Sequence, residues 1–135
     1  MLDFRRDKVI NIITCMLLVA LPFILLPEIN LVLAQGQSGD DLLEQGKQYY
    51  QEGKFEEAVD KLTLALKMLS DKDKLVDAYL HMALSHFALG EKEKANQDLT
   101  ELLRLNPTQK LDPMYYPPDF VQLLDEAKGV VLAHI

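Results

Sequence analysis

Five positions of this chain have a counterpart 37 residues further on: Gly46 with Ala83, Tyr49 with His86, Gly53 with Gly90, Ala58 with Ala95, and Leu62 with Leu99. Small residues match small ones, and the two glycines match each other. One offset shared by all the pairs is the mark of an internal duplication. Such a chain is tightly constrained, because a single repeat cannot bury its own apolar face and must stack against its neighbour. The small residues let two helices approach closely, and Tyr49, Leu62 and Leu99 fill the adjoining holes. Gly53 and Gly90 stand where the first helix of each copy must end on a left-handed residue.

The hydrophobic pattern is helical after residue 40, and no stretch alternates with the period of a strand. It predicts five helices, at about 41–52, 55–69, 74–89, 92–104 and 118–132, and an all-α fold. Gly53-Lys54, Ser70-Asp71-Lys72-Asp73 and Gly90-Glu91 are short connections, which force neighbouring helices into antiparallel hairpins. Asp40 or Asp41 is the expected N-cap of the first helix. The preceding linker, residues 35–40 with Gln35-Gly36-Gln37-Ser38-Gly39, is polar and expected to bury nothing. A longer segment, Asn106 to Pro117, leads to the last helix, where Pro118 suits the first turn. Phe120, Leu124, Ala127 and Val131 recur there at helical spacing, so residues 110–135 read as a proline-rich connector and a capping helix.

The paired copies resemble the tetratricopeptide repeat family, whose unit reads W-x₂-L-G-x₂-Y…A-x₃-F…P. The first copy runs Leu42-x₂-Gln45-Gly46-x₂-Tyr49…Ala58-x₃-Leu62, and the second runs Tyr79-x₂-Met82-Ala83-x₂-His86…Ala95-x₃-Leu99…Pro107. Ser70 replaces the terminal proline in the first copy. The resemblance spans residues 41–109 and implies two helical hairpins, at about 41–69 and 74–105. It implies packing roles for Gly46, Tyr49, Ala58, Leu62, Ala83, His86, Ala95, Leu99 and Pro107. It also implies a groove lined by the first helix of each pair, here Leu43, Lys47 and Tyr50, then Leu80, Leu84 and Phe87. Most of that lining is apolar or aromatic, which suits an apolar helix or extended peptide from a partner protein. Some family members clamp a peptide's terminal carboxylate with Lys and Asn, but Tyr50 and Leu84 stand at those places. Two occupants of the groove are open: a partner, or the chain's own Met114-Tyr115-Tyr116 segment and last helix. Tyr115-Tyr116-Pro117-Pro118-Asp119-Phe120 is open in the same way, as a docking edge or as a rigid connector packed on the second repeat.

Composition matters most at the amino terminus. Arg5, Arg6 and Lys8 precede an apolar run from Val9 to Pro27, and Val32-Leu33-Ala34 follow. That order is expected of a signal peptide over residues 1–34 cleaved after Ala34. It also fits an uncleaved inner-membrane anchor through residues 9–27, with the bases on the cytoplasmic side. Either way the body lies across a membrane, in the periplasm or outside the cell. Beyond Ala34 the chain keeps 18 of its 21 acids and 11 of its 14 bases, so the net charge of −7 falls on the body. An acidic body without a basic cluster argues against nucleic acid. The lone cysteine, Cys15, excludes a disulfide framework.

Catalysis finds little footing. His81 and His86 are five apart, about 140° around a helix, and do not form a metal pair. Asp77 and His81 can share a ligand but are expected to be a solvated pair. Asp71, Asp73 and Asp77 lack the glycine and glutamate of a calcium loop, since Val76 and Met82 stand there. No phosphate-binding glycine loop or nucleophile elbow is present. No cofactor or metal is expected. The sequence thus points to a non-catalytic protein–protein interaction module of the cell envelope, with self-association possible through leftover apolar surface. Behind it stand a membrane-anchored accessory subunit and, remotely, a small metal-dependent enzyme.

Overall fold

The computed structural model describes residues 36–134. By its contacts the chain divides into Met1–Gly36 and Gln37–Ile135, and the second unit is the one described. The expected signal or anchor segment lies outside the described residues. Among the described residues every regular element is a helix: α1 Gly39–Gln51, α2 Phe55–Met68, α3 Lys72–Ala88, α4 Lys92–Leu105 and α5 Pro118–Ala133. None of these is long and apolar enough to cross a membrane.

The start of α1 corrects the expected linker. Ser38, not Asp40 or Asp41, is the N-cap: its hydroxyl accepts from the Asp41 N–H at 3.1 Å, and the Asp41 carboxylate accepts from the Ser38 N–H at 3.1 Å. This reciprocal box satisfies two backbone donors that the helix leaves free. Gly39 is buried, because the end of α2 comes so near that a Cβ there would lie 3.1 Å from Met68 Cβ. The polar linker therefore ends at Ser38.

The duplication is physical. The φ angles of Gly53 and Gly90 are 75° and 79°. After α1, Lys54 N–H donates to Tyr49 C=O at 2.9 Å and Gly53 N–H to Tyr50 C=O at 3.0 Å. After α3, Glu91 N–H donates to His86 C=O at 2.9 Å and Gly90 N–H to Phe87 C=O at 3.0 Å. Both are the same Schellman closure, 37 residues apart. Ala58, Leu62, Ala83, Ala95 and Leu99 are fully buried. Tyr49 is half-buried, and Pro107 is exposed just past the end of α4.

α3 belongs to two cores. Ala78 and Met82 join Leu42, Leu43, Leu62 and Ala65 of the first hairpin. Leu80, Ala83 and Leu84 join Leu99, Leu102 and Leu103 of α4 together with Leu111, Phe120, Leu124 and Ala127. A helix covered on two sides has no wide polar face, and Met82 to His86 are buried without a break.

α5 caps the second repeat, packing Phe120, Leu124 and Ala127 against its core. Lys92, near the start of α4, lines one hollow with Asp119 and Gln122 near the start of α5. Arg104, near the end of α4, lines another with Val131 and His134. The two helices therefore run parallel. The Asn106–Pro117 connector makes this possible by travelling back along the repeat before α5 begins, burying Leu111 on the way. A helix after a short turn would have been antiparallel.

Candidate partner-binding face

The face assigned to the groove is built where α1 lies beside α3. Lys47 Nζ stands 3.0 Å from Asp77 Oδ2 and 3.2 Å from Glu44 Oε1. The other Asp77 oxygen, Oδ1, is 2.9 Å from His81 Nδ1. The hydrogen bond from His81, reinforced by Lys47, holds the Asp77 carboxyl at about 2 against the opposing effect of burial. Lys47 is raised in turn, mainly by Asp77. The ring of Tyr50 meets His81 edge-on with centroids 5.9 Å apart and tilts against Phe55 at 5.7 Å. Burial, and then the neighbouring Tyr116, push the Tyr50 hydroxyl up. Asp77 and His81 are thus a half-buried pair tied into a network.

The remaining groove residues do not line an open trough. Leu43 is buried in the first core, and Leu80 and Leu84 in the second. Phe87 packs edge-on against Phe120 with centroids 5.3 Å apart, and Tyr116 stacks on Phe120 at 6.4 Å. The described residues form two hairpins, and the apolar side of α3 is covered by the connector and α5. Of the two occupants left open for the groove, the chain's own connector and last helix cover its α3 side, and not all six implied lining residues can face a partner: Leu43, Leu80 and Leu84 are buried, while Lys47, Tyr50 and Phe87 keep part of their surface in water. The aromatic connector divides its roles, with Tyr116 packed inward and Met114 and Tyr115 turned out to solvent.

Asp98 escaped the sequence reading. Its Oδ2 lies 2.6 Å from His86 Nδ1, both residues are buried, and the contact joins α3 to α4. A signal was available: Ala95, Asp98, Leu99 and Leu102 share one helical stripe, and a carboxylate in an apolar stripe needs a partner. Among the described residues, no three His, Cys, Asp or Glu side chains converge as a metal site would require.

A family model described as tetratricopeptide repeat matches residues 77–108, which cover most of α3 and all of α4. Neither a curated protein nor a solved structure matches the chain. Repeats of this family are helical scaffolds that mediate protein–protein contacts through their extended surfaces. Family match and paired Schellman closures agree, and this is a tetratricopeptide-repeat-containing protein.

Proposed function

We propose that this protein is a non-catalytic docking module of a bacterial-type cell envelope, which holds a segment of a partner protein against the α1 side of its repeat face. The observation that carries this reading is the Lys47–Asp77–His81–Tyr50 cluster. It combines an ion pair, an aromatic ring and a half-exposed seam between two helices, beside a stretch of α3 that the chain covers for itself. Interfaces draw their specificity from such mixtures of ring and charge. The acidic body disfavours anionic partners and anionic membrane surfaces.

The envelope placement rests on Arg5, Arg6 and Lys8 ahead of the Val9–Pro27 apolar run. Cleavage after Ala34 yields a periplasmic or secreted module, and retention yields an anchored accessory subunit. The intact mass of the protein from native membranes and from the soluble fraction separates the two.

Docking is tested by capture from the native envelope with Lys47→Glu, which sets a third acid beside Glu44 and Asp77, and with Lys47→Arg. The charge reversal abolishes capture and leaves the helical signal in place, whereas the arginine variant retains it. Undiminished capture by Lys47→Glu moves the site elsewhere.

A further inference from the structure

The turn that leads into α5 is held at both ends. Leu111 is buried in the second core, and Tyr116 stacks on Phe120. Between them the Asp112 carbonyl accepts from the N–H groups of Tyr115 at 2.9 Å and Tyr116 at 3.2 Å. The Asp112 side chain bends along the same turn, where its Oδ1 accepts from Met114 N–H at 2.9 Å. Asp112 and Pro113 are both exposed, so water and protons reach the peptide bond that joins them. Of the chain's six prolines, Pro113 alone follows an acid.

Each of these features favours one reaction, attack by the Asp112 carboxylate on its own backbone carbonyl. The nucleophile is tethered, because closing a five-membered ring on that carbon moves only the side chain. Tethering of this kind supplies a large effective concentration. The two N–H donors polarise the carbonyl oxygen and stabilise the negative charge that attack places on it. The leaving atom is the nitrogen of a tertiary amide, which departs as a secondary amine and takes up a proton readily. A bond to any other residue offers a poorer leaving nitrogen, and an Asp–Pro bond in an open chain lacks the two donors.

We infer that Asp112–Pro113 is a self-cleaving site, at which the Asp112 carboxylate severs the chain ahead of α5. A carboxylate oxygen bonds to the Asp112 carbonyl carbon and the carbon–nitrogen bond to Pro113 breaks. The nitrogen keeps the electron pair and takes a proton from solvent. Water then opens the cyclic anhydride, so one water is consumed and Asp112 ends the first fragment with both carboxyls free. Residues 113–135 carry Phe120, Leu124 and Ala127, which pack on the second repeat. Once the bond is cut, that packing is an association between two chains and weakens on dilution. Scission therefore makes the cover over Leu80 and Leu84 removable.

Full-length protein in mild detergent is held at about pH 5, where the Asp77 contribution is still complete, beside the same protein in concentrated urea. Intact mass reports the fragment that begins at Pro113, and circular dichroism verifies that the first sample stays folded. Lability that belongs to the dipeptide alone is as fast in urea or faster. A site built by the turn cuts faster in the folded protein, by about tenfold or more. Asp112→Asn keeps an oxygen for Met114 N–H but removes the carboxylate, and is expected to abolish the cut in a protein of unchanged circular dichroism. Three results overturn the inference: no such fragment from the folded protein, cutting as fast or faster in urea, or cutting that persists in Asp112→Asn.

Discussion

His86 on α3 and Asp98 on α4 meet at 2.6 Å, each only 8% exposed, and fasten the second hairpin through a polar contact that the first does not have. The equivalent positions in the first repeat are Tyr49 and Lys61. Removing one partner of such a pair strands the other in a dry site. Asp98→Ala is therefore expected to cost about 3 kcal/mol in urea unfolding. Replacing both, as His86→Leu with Asp98→Leu, removes the desolvation along with the bond and is expected to restore most of that loss. Equal destabilisation by the single and double variants would show that the pair does not act as a unit.

The acid response has two opposed parts. Asp77 falls from its ordinary 3.8 to about 2, so its contribution is complete above pH 3.8 and is lost as pH falls through about 2. Its side chain is 35% exposed, and solvent screening limits the effect to about 1 kcal/mol. Burial pushes the Asp98 carboxyl up against the pull of His86, so its contribution has the reverse sign: present at low pH and lost as pH rises through the raised value. Asp77→Asn is expected to flatten the fall in stability between about pH 4 and 2, and Asp98→Asn to leave that limb in place. Denaturant midpoints measured across this range check both.

Gly46 is a packing requirement rather than a flexibility device. A Cβ there would lie 2.6 Å from Leu62 Cγ, with Ala58 carbonyl oxygen close behind at 3.4 Å. Gly46→Ala is expected to destabilise by about 1–3 kcal/mol through overpacking, although alanine favours helix elsewhere. Gly53 and Gly90 have open space around them and are restricted by their positive φ instead. Alanine at either is expected to cost about 1 kcal/mol, and the two losses to add, since the closures belong to different hairpins. Thermal unfolding of the single and paired variants distinguishes these causes.

Phe120 is the fully buried anchor of α5, packed against both Phe87 and Tyr116. Phe120→Ala is expected to cost about 3–5 kcal/mol. Because α5 and the connector cover Leu80 and Leu84, its loss should also raise binding of a hydrophobic dye before the helices melt. A fall in stability with no such rise would mean that the cover stays in place.

Much of the helical body was legible from residue types alone. Each of the five helices falls within two residues of its expected ends, since Gly and Pro punctuate the chain locally, through φ and the missing or freed backbone donors. The 37-residue register also carried over into geometry, because Gly46, Gly53 and Gly90 each answer to a single steric demand. What depended on long-range choice was hidden. The direction of α5 is set by the path of the connector, and Asn106–Pro117 gives no period from which to read a path. Burial of Leu80 and Leu84 follows from that direction, so the sequence could not decide between a partner and the chain's own connector and last helix as the groove's occupant. Lys47 and Asp77, 30 positions apart, are joined only by the stacking of α1 on α3.

The central claim is that a partner docks on the α1 side of the repeat face. A photo-crosslinking residue at exposed Gln51, near Lys47 and Tyr50 at the end of α1, tests it against the same residue at exposed Asp60 on α2. Irradiation of cells producing each full-length variant is expected to yield a discrete adduct with another protein from position 51 and none from position 60. An adduct from position 60 alone, or from neither position, would contradict the account.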